Sequence, residues 1–125
     1  MESKTVLIVD DEMSNTQLFG MMLELEGYRP LAASDAPTAL EVLRQQTPDV
    51  MIVDVMLPGA SGLDLCRMVR NELGLVDLPI VIVSAKSQLA DVQAGVAAGA
   101  TVYLTKPVTK AELLGAVRQA VGEGA

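Results

Sequence analysis

No histidine occurs in this chain of 125 residues. That excludes Ser-His-Asp triads, imidazole metal sites and any phosphoryl donation from a histidine of its own. Cysteine is reduced to Cys66, which forbids an internal disulfide and a cysteine zinc site; a reducing cytoplasm is the expected compartment. Tryptophan is missing, and Phe19, Tyr28 and Tyr103 are the whole aromatic complement. The core must therefore be packed from Val, Ile, Leu, Met and Ala. Positive charge is scarce: nine basic residues face sixteen acidic ones, for a net charge of −7. Phosphate backbones are bound by Lys/Arg surfaces, so nucleic acid is not expected as a direct partner. No apolar run nears the ~18 residues of a membrane span, and the N-terminus has no signal-peptide pattern, so no membrane association is expected.

Half the residues are apolar and a fifth are charged, a balance that excludes a disordered acidic tail. The length suits one domain, read as residues 1–121, with 122–125 a frayed tail or the start of a linker. Short apolar runs alternate with longer amphipathic stretches. Val6-Leu7-Ile8-Val9, Val50-Met51-Ile52-Val53 and Ile80-Val81-Ile82-Val83 are rich in β-branched residues and suit strands buried on both faces. Weaker strands are predicted over 28–33 and 101–104. A first helix is predicted from Ser14, with Leu18, Met21, Met22 and Leu25 as its apolar face and Gly27 as its stop. Further helices are predicted over 36–46, 63–73, 89–98 and 110–121. Gly99 reads as the C-cap of the fourth helix and Gly95 as a soft point within it. Strict alternation of five strands and five helices implies an α/β fold, an open parallel sheet with helices on both faces.

Each strong strand ends in a polar residue: Asp10 and Asp11 after the first, Asp54 after the third, Ser84 after the fourth, and Thr105-Lys106-Pro107 after the fifth. In an open parallel sheet these carboxyl ends share one edge, and ligands bind where the strand order reverses. Three carboxylates, a hydroxyl and an ammonium group are therefore expected in one cleft. Close carboxylates repel and need a cation. Lys106 supplies one; Mg²⁺ suits a site with few carboxylates and room for water and phosphate oxygens. A carboxylate that attacks phosphorus gives an aspartyl phosphate. Metal, ammonium and hydroxyl then neutralise the transferring phosphoryl group.

Val9-Asp10-Asp11-Glu12, Asp54-Val55-Met56-Leu57-Pro58-Gly59 with Gly62, Val83-Ser84-Ala85 and Tyr103-Leu104-Thr105-Lys106-Pro107 resemble the response-regulator receiver (CheY-like) family, in order and across essentially the whole chain. The resemblance implies the flavodoxin-like strand order 2-1-3-4-5. It implies Asp54 as phosphoacceptor, with Asp10, Asp11, Asp54 and the carbonyl of Met56 as the Mg²⁺ site. It further implies Lys106 as the partner of Asp54 and then of the phosphoryl group, a cis bond before Pro107, and Ser84 and Tyr103 as the switch pair. Ser84 is expected to swing toward the phosphoryl oxygens and Tyr103 to rotate inward behind it. The implied donor is the phosphohistidine of a sensor histidine kinase or phosphotransfer protein. The implied output face is the fourth helix, fifth strand and fifth helix, read by an effector protein or a fused output domain. Such a domain is a switch that catalyses only its own phosphorylation and dephosphorylation.

Blander readings stand beside these. Asp10 and Asp11 at a strand end also suit simple helix capping, Asp54 a turn, and Tyr103 plain packing. Cys66, among Leu65 and Val69, reads as an inert packing thiol. Rival functions are an Asp-nucleophile phosphatase acting on metabolites, for which the alternation leaves no cap, and a pseudo-receiver, which would lack one of the acids or the lysine. Receivers of the transcription-factor type dimerise through charged pairs. Here Thr101-Val102 stands where their acidic pair would be, Ala116 where their basic residue would be, and Asp91 is the lone ionised residue of the fourth helix. A monomer is therefore expected before phosphorylation.

Overall fold

The computed structural model describes residues 3–122. Five strands alternate with five helices: β1 (Thr5–Val9), α1 (Met13–Leu25), β2 (Arg29–Ala33), α2 (Ala36–Gln45), β3 (Val50–Asp54), α3 (Gly62–Asn71), β4 (Ile80–Ser84), α4 (Leu89–Ala98), β5 (Val102–Thr105) and α5 (Lys110–Ala120). All neighbouring strands pair in parallel, in the order β2-β1-β3-β4-β5. The order and the fold class are those the sequence implies.

The aliphatic runs fall where two-sided burial requires them. Every residue of the central β3 and β4 is buried, whereas the edge strands β2 and β5 are largely half-exposed. Alternate side chains along each strand serve opposite layers. Leu7, Val9, Met51, Val53, Ile80 and Ile82 pack with Leu43, Leu65, Val69 and Ala98 of α2, α3 and α4. Val6, Ile8, Val50, Ile52, Val81 and Val83 pack with Phe19, Leu23, Leu113 and Val117 of α1 and α5. Cys66 lies wholly buried in the first layer, and burial pushes its thiol up to about 11, so it packs and does not react.

The apolar face of α1 differs from the expectation. Phe19, Gly20 and Leu23 are buried, while Leu18, Met21 and Leu25 are exposed by 50%, 62% and 76%. The helix carries apolar residues around most of its circumference, so periodicity alone could not select the face; the aromatic ring and Leu23 took it. Helix and strand ends differ from the expected bounds by one or two residues, as at α3, which starts at Gly62 and stops at Asn71. The boundary read at 121–122 falls at the end of α5, and residues 123–125 of the expected tail lie outside the described residues.

Candidate functional site

Strand order reverses between β1 and β3, because β2 and β3 flank β1 on opposite sides. Val9 pairs with Val53, so Asp10 and Asp54, each one residue further along, leave the sheet side by side. Both carboxylates are buried, 4% and 6% exposed. A buried charge is tolerated only with partners, and every carboxylate oxygen here has one. Asp10 accepts from the Glu12 amide on Oδ1 at 2.9 Å and from Asn15 Nδ2 on Oδ2 at 3.2 Å. Asp54 accepts from the Met56 amide on Oδ1 at 2.9 Å and from Lys106 Nζ on Oδ2 at 2.8 Å. Capping is not the role of Asp10: the N-cap of α1 is Glu12, without a side-chain cap bond.

Lys106 reaches Asp54 from the end of β5. Its backbone amide donates to the Ser84 carbonyl at 2.8 Å, and the bond to Pro107 is cis, as the resemblance implies. Burial alone would lower the Lys106 pKa, but the hydrogen bond and charge of Asp54, with the fields of Asp10 and Glu12, outweigh it and hold the ammonium above its ordinary value. Gly62 makes the loop after Asp54 possible. A Cβ there would lie 2.2 Å from the Asp54 carbonyl oxygen and 2.8 Å from Val53 Cγ1. Its amide also donates to the Val55 carbonyl at 2.8 Å, which ties the start of α3 to the end of β3.

Ser84 is fully buried at the end of β4, with Oγ accepting from the Lys86 amide at 3.1 Å. Tyr103 is half-buried, and its hydroxyl donates to the Lys86 carbonyl at 2.7 Å. The ring lies against Gly95 of α4: a Cβ at that position would sit 2.7 Å from Tyr103 Cδ2. The sequence read Gly95 as a point of softness; in the structure it is the space the tyrosine ring occupies. Ser84 and Tyr103 thus meet through one residue, Lys86, which each holds by its backbone.

Of the three carboxylates expected in the cleft, Asp10 and Asp54 lie side by side at the strand ends. Asp11 is exposed, and among the described residues no three acidic side chains gather closely enough to hold a metal by themselves. The donor set is nevertheless all oxygen, two buried carboxylates beside a backbone loop. That fits Mg²⁺, which binds through one or two carboxylates and keeps waters and phosphate oxygens for the rest. The sequence analysis names Gly62 within the Asp54 motif but not its close approach to Asp54, and it misses Asn15 as the partner of Asp10 and the packing of Tyr103 on Gly95. A five-residue separation from Asp10 was the sole hint for Asn15.

Two buried carboxylates at the order reversal of a five-stranded parallel sheet, one of them bonded to a lysine from the end of the last strand, define the class: an open α/β domain with its polar site at the carboxyl edge of the sheet. The chain belongs to the response regulator receiver domain family, which it matches over residues 6–118. It is 38% identical over 127 residues to the phosphate regulon transcriptional regulatory protein PhoB of Pseudomonas aeruginosa, covering 99% of this chain and 56% of PhoB. It is 37% identical over 113 residues to the DNA-binding response regulator MtrA of Mycobacterium tuberculosis, covering 90% of this chain and 48% of MtrA. The chain thus spans about half the length of these curated relatives. The chemotaxis protein CheY4 of Vibrio cholerae superposes with a TM-score of 0.89 at 30% identity, covering 94% of this chain and 98% of that one.

Proposed function

We propose that this receiver domain takes a phosphoryl group from a phosphohistidine onto Asp54 and thereby switches the surface formed by α4, β5 and α5. The observation that carries the reading is the Asp54 carboxylate, buried beside Asp10 and held on its two oxygens by the Met56 amide and Lys106. In the transfer a carboxylate oxygen of Asp54 forms the new P–O bond as the P–N bond of the donor breaks, and the leaving imidazole keeps the electron pair. Lys106 holds the carboxylate before transfer and follows the negative charge onto the phosphoryl oxygens afterwards. Asp10, Asp11, Asp54 and the Met56 carbonyl are the groups that would hold Mg²⁺. When bound, the ion supplies positive charge at the developing phosphoryl oxygens. Burial of the site strengthens each of these interactions relative to water.

Ser84 Oγ, one pairing step from Lys106 in the β4–β5 ladder, offers a hydroxyl to the same oxygens. Its O–H proton is available for this while Oγ accepts from the Lys86 amide; a swing of Ser84 toward the phosphoryl group pulls on that bond, and Tyr103 is bonded to the same residue, so the loop that leads to α4 feels the change. Leu89 and Val96 of α4 are 72% and 58% exposed, giving the output face an apolar character. The donor is a sensor histidine kinase or a phosphotransfer protein, and the reader is an effector protein or an output domain joined to this one. The whole acts in the cytoplasm as a switch and not as a turnover enzyme on a metabolite.

Incubation with acetyl phosphate tests the chemistry. A base-labile acyl phosphate that forms with Mg²⁺ and fails to form in a chelator is the expected result. A base-stable phosphoester, or labelling indifferent to chelation, would contradict it. The Met56 side chain is 61% exposed at the loop after Asp54 and cannot orient a water. Slow self-dephosphorylation is therefore expected, and Met56→Asn should hasten the decay; an unchanged rate would remove Met56 from the account.

A further inference from the structure

We infer that Asn15 is a positioning residue for the Mg²⁺ site, acting through Asp10; the inference rests on the functional reading above. Asp10 is 4% exposed, yet among the described residues no cation forms a salt bridge with it, since Lys106 is bonded to Asp54. Its two oxygens are held by neutral donors alone, the Glu12 amide and the Asn15 side chain. A carboxylate only accepts, so the amide group of Asn15 must present its NH₂ and not its carbonyl.

The Glu12 bond is a local turn within the chain, two residues from Asp10, and would form with any residue at position 12 but proline. The Asn15 bond is different in kind. It reaches back from the first turn of α1, is made by a side chain, and fixes the second oxygen, so the plane of the carboxylate is set by both bonds together. Each carboxylate oxygen has two lone-pair sites, which leaves one on each oxygen free to face the crevice and a metal or its water. Without Asn15 the plane is free to turn about the remaining bond.

The neutrality of the partner matters as much as its geometry. An arginine or lysine at position 15 would hold Asp10 equally firmly but would cancel its charge and compete with the cation. An amide stabilises the ionised, buried carboxylate while leaving its full charge to attract a divalent ion. Groups that orient metal ligands from outside the coordination sphere typically change metal affinity by about 10–100-fold when removed.

The test is an MgCl₂ titration of the full chain followed by amide chemical shifts in ¹H–¹⁵N spectra, for wild type, Asn15→Leu and Asn15→Ala. Leucine keeps the volume and deletes the donor; alanine repeats the deletion with less bulk should leucine disturb the helix. Both variants are expected to bind Mg²⁺ about tenfold or more weakly while remaining folded without metal, with a wild-type pattern of amide shifts away from the site. Labelling by acetyl phosphate should then show a raised Mg²⁺ half-saturation and a near wild-type rate at saturating Mg²⁺. Unchanged Mg²⁺ affinity in both variants would overturn the inference, as would a lowered maximal rate with unchanged half-saturation. A wild-type chain that takes up no Mg²⁺ would instead overturn the functional reading itself.

Discussion

At Gly95 two opposing effects can be compared directly. Replacing a helix-interior glycine by alanine ordinarily stabilises by roughly 1 kcal/mol through backbone entropy and propensity. Here the added Cβ would meet Tyr103 Cδ2 at 2.7 Å, Cε2 at 3.0 Å and Ile82 Cδ1 at 3.2 Å. Overpacking of that order costs about 1–3 kcal/mol or is relieved by moving the ring. Gly95→Ala should therefore fail to stabilise the chain and should break the Tyr103–Lys86 bond, read from the Tyr103 ring signals and the Lys86 amide. A more stable variant with unmoved Tyr103 signals would contradict this. The Lys106–Asp54 pair gives a pH prediction with a definite sign. The ammonium is held above the ordinary lysine value of 10.5. A raised folded-state pKa contributes stability that is fully present below the unfolded value and lost as pH rises through the folded one. Wild type should exceed Lys106→Met by about 1.5–3 kcal/mol at neutral pH in urea unfolding, and the gap should close above pH 10.5. A gap independent of pH would show that the ammonium charge contributes nothing.

Among the elements, α4, part of the proposed output face, is tied to α3 at its far end by Arg70. The guanidinium donates to the Gly99 carbonyl from Nε at 3.2 Å and Nη2 at 2.7 Å, and to the Leu75 carbonyl from Nη1 at 2.6 Å. Gly99, at φ +114°, is required twice, by its left-handed backbone and by Arg70 Cγ lying 2.8 Å from where a Cβ would be. Arg70→Met should cost roughly 1.5–3 kcal/mol and speed hydrogen exchange at the C-terminal end of α4; exchange unchanged there would show that the clamp is idle. Lysine is a poor substitute, since a single ammonium cannot span two carbonyls in a fixed fork. The elements also divide by how legible they were in the sequence. The runs of β1, β3 and β4 announce themselves because two-sided burial demands unbroken aliphatic side chains. The polar residue ending each run then places Asp10, Asp54, Ser84 and Lys106 on one edge. The buried face of α1 was not legible, because Met13, Leu18, Met21 and Leu25 compete with Phe19 and Leu23 for the core. Arg70 and Asn15 were illegible for another reason. Their partners lie 29 and 5 residues away, at carbonyl and carboxylate positions that only the folded chain brings near.

For the whole molecule, charge is the governing quantity. The surface of α4, β5 and α5 lacks the charged pairs that the family resemblance associates with one kind of receiver dimer. Thr101 Oγ1 accepts from the Ile80 amide at 3.1 Å, Ala116 is buried, and Leu89 and Val96 are exposed. A monomer is expected before phosphorylation, and any dimer formed after it should be apolar and nearly indifferent to salt. Light scattering with and without a phosphate mimic at low and high salt distinguishes this from a salt-labile dimer, which would contradict it. Everything proposed for the switch depends on Asp54 accepting the phosphoryl group. That step is tested most directly by mass spectrometry of the intact chain and its peptides after reaction with acetyl phosphate and Mg²⁺, for wild type and Asp54→Asn. One phosphoryl group on the peptide containing Asp54, absent from the variant, is the predicted result. Labelling of Asp54→Asn at the wild-type rate, or a phosphoryl group found on another residue of the wild type, would contradict it.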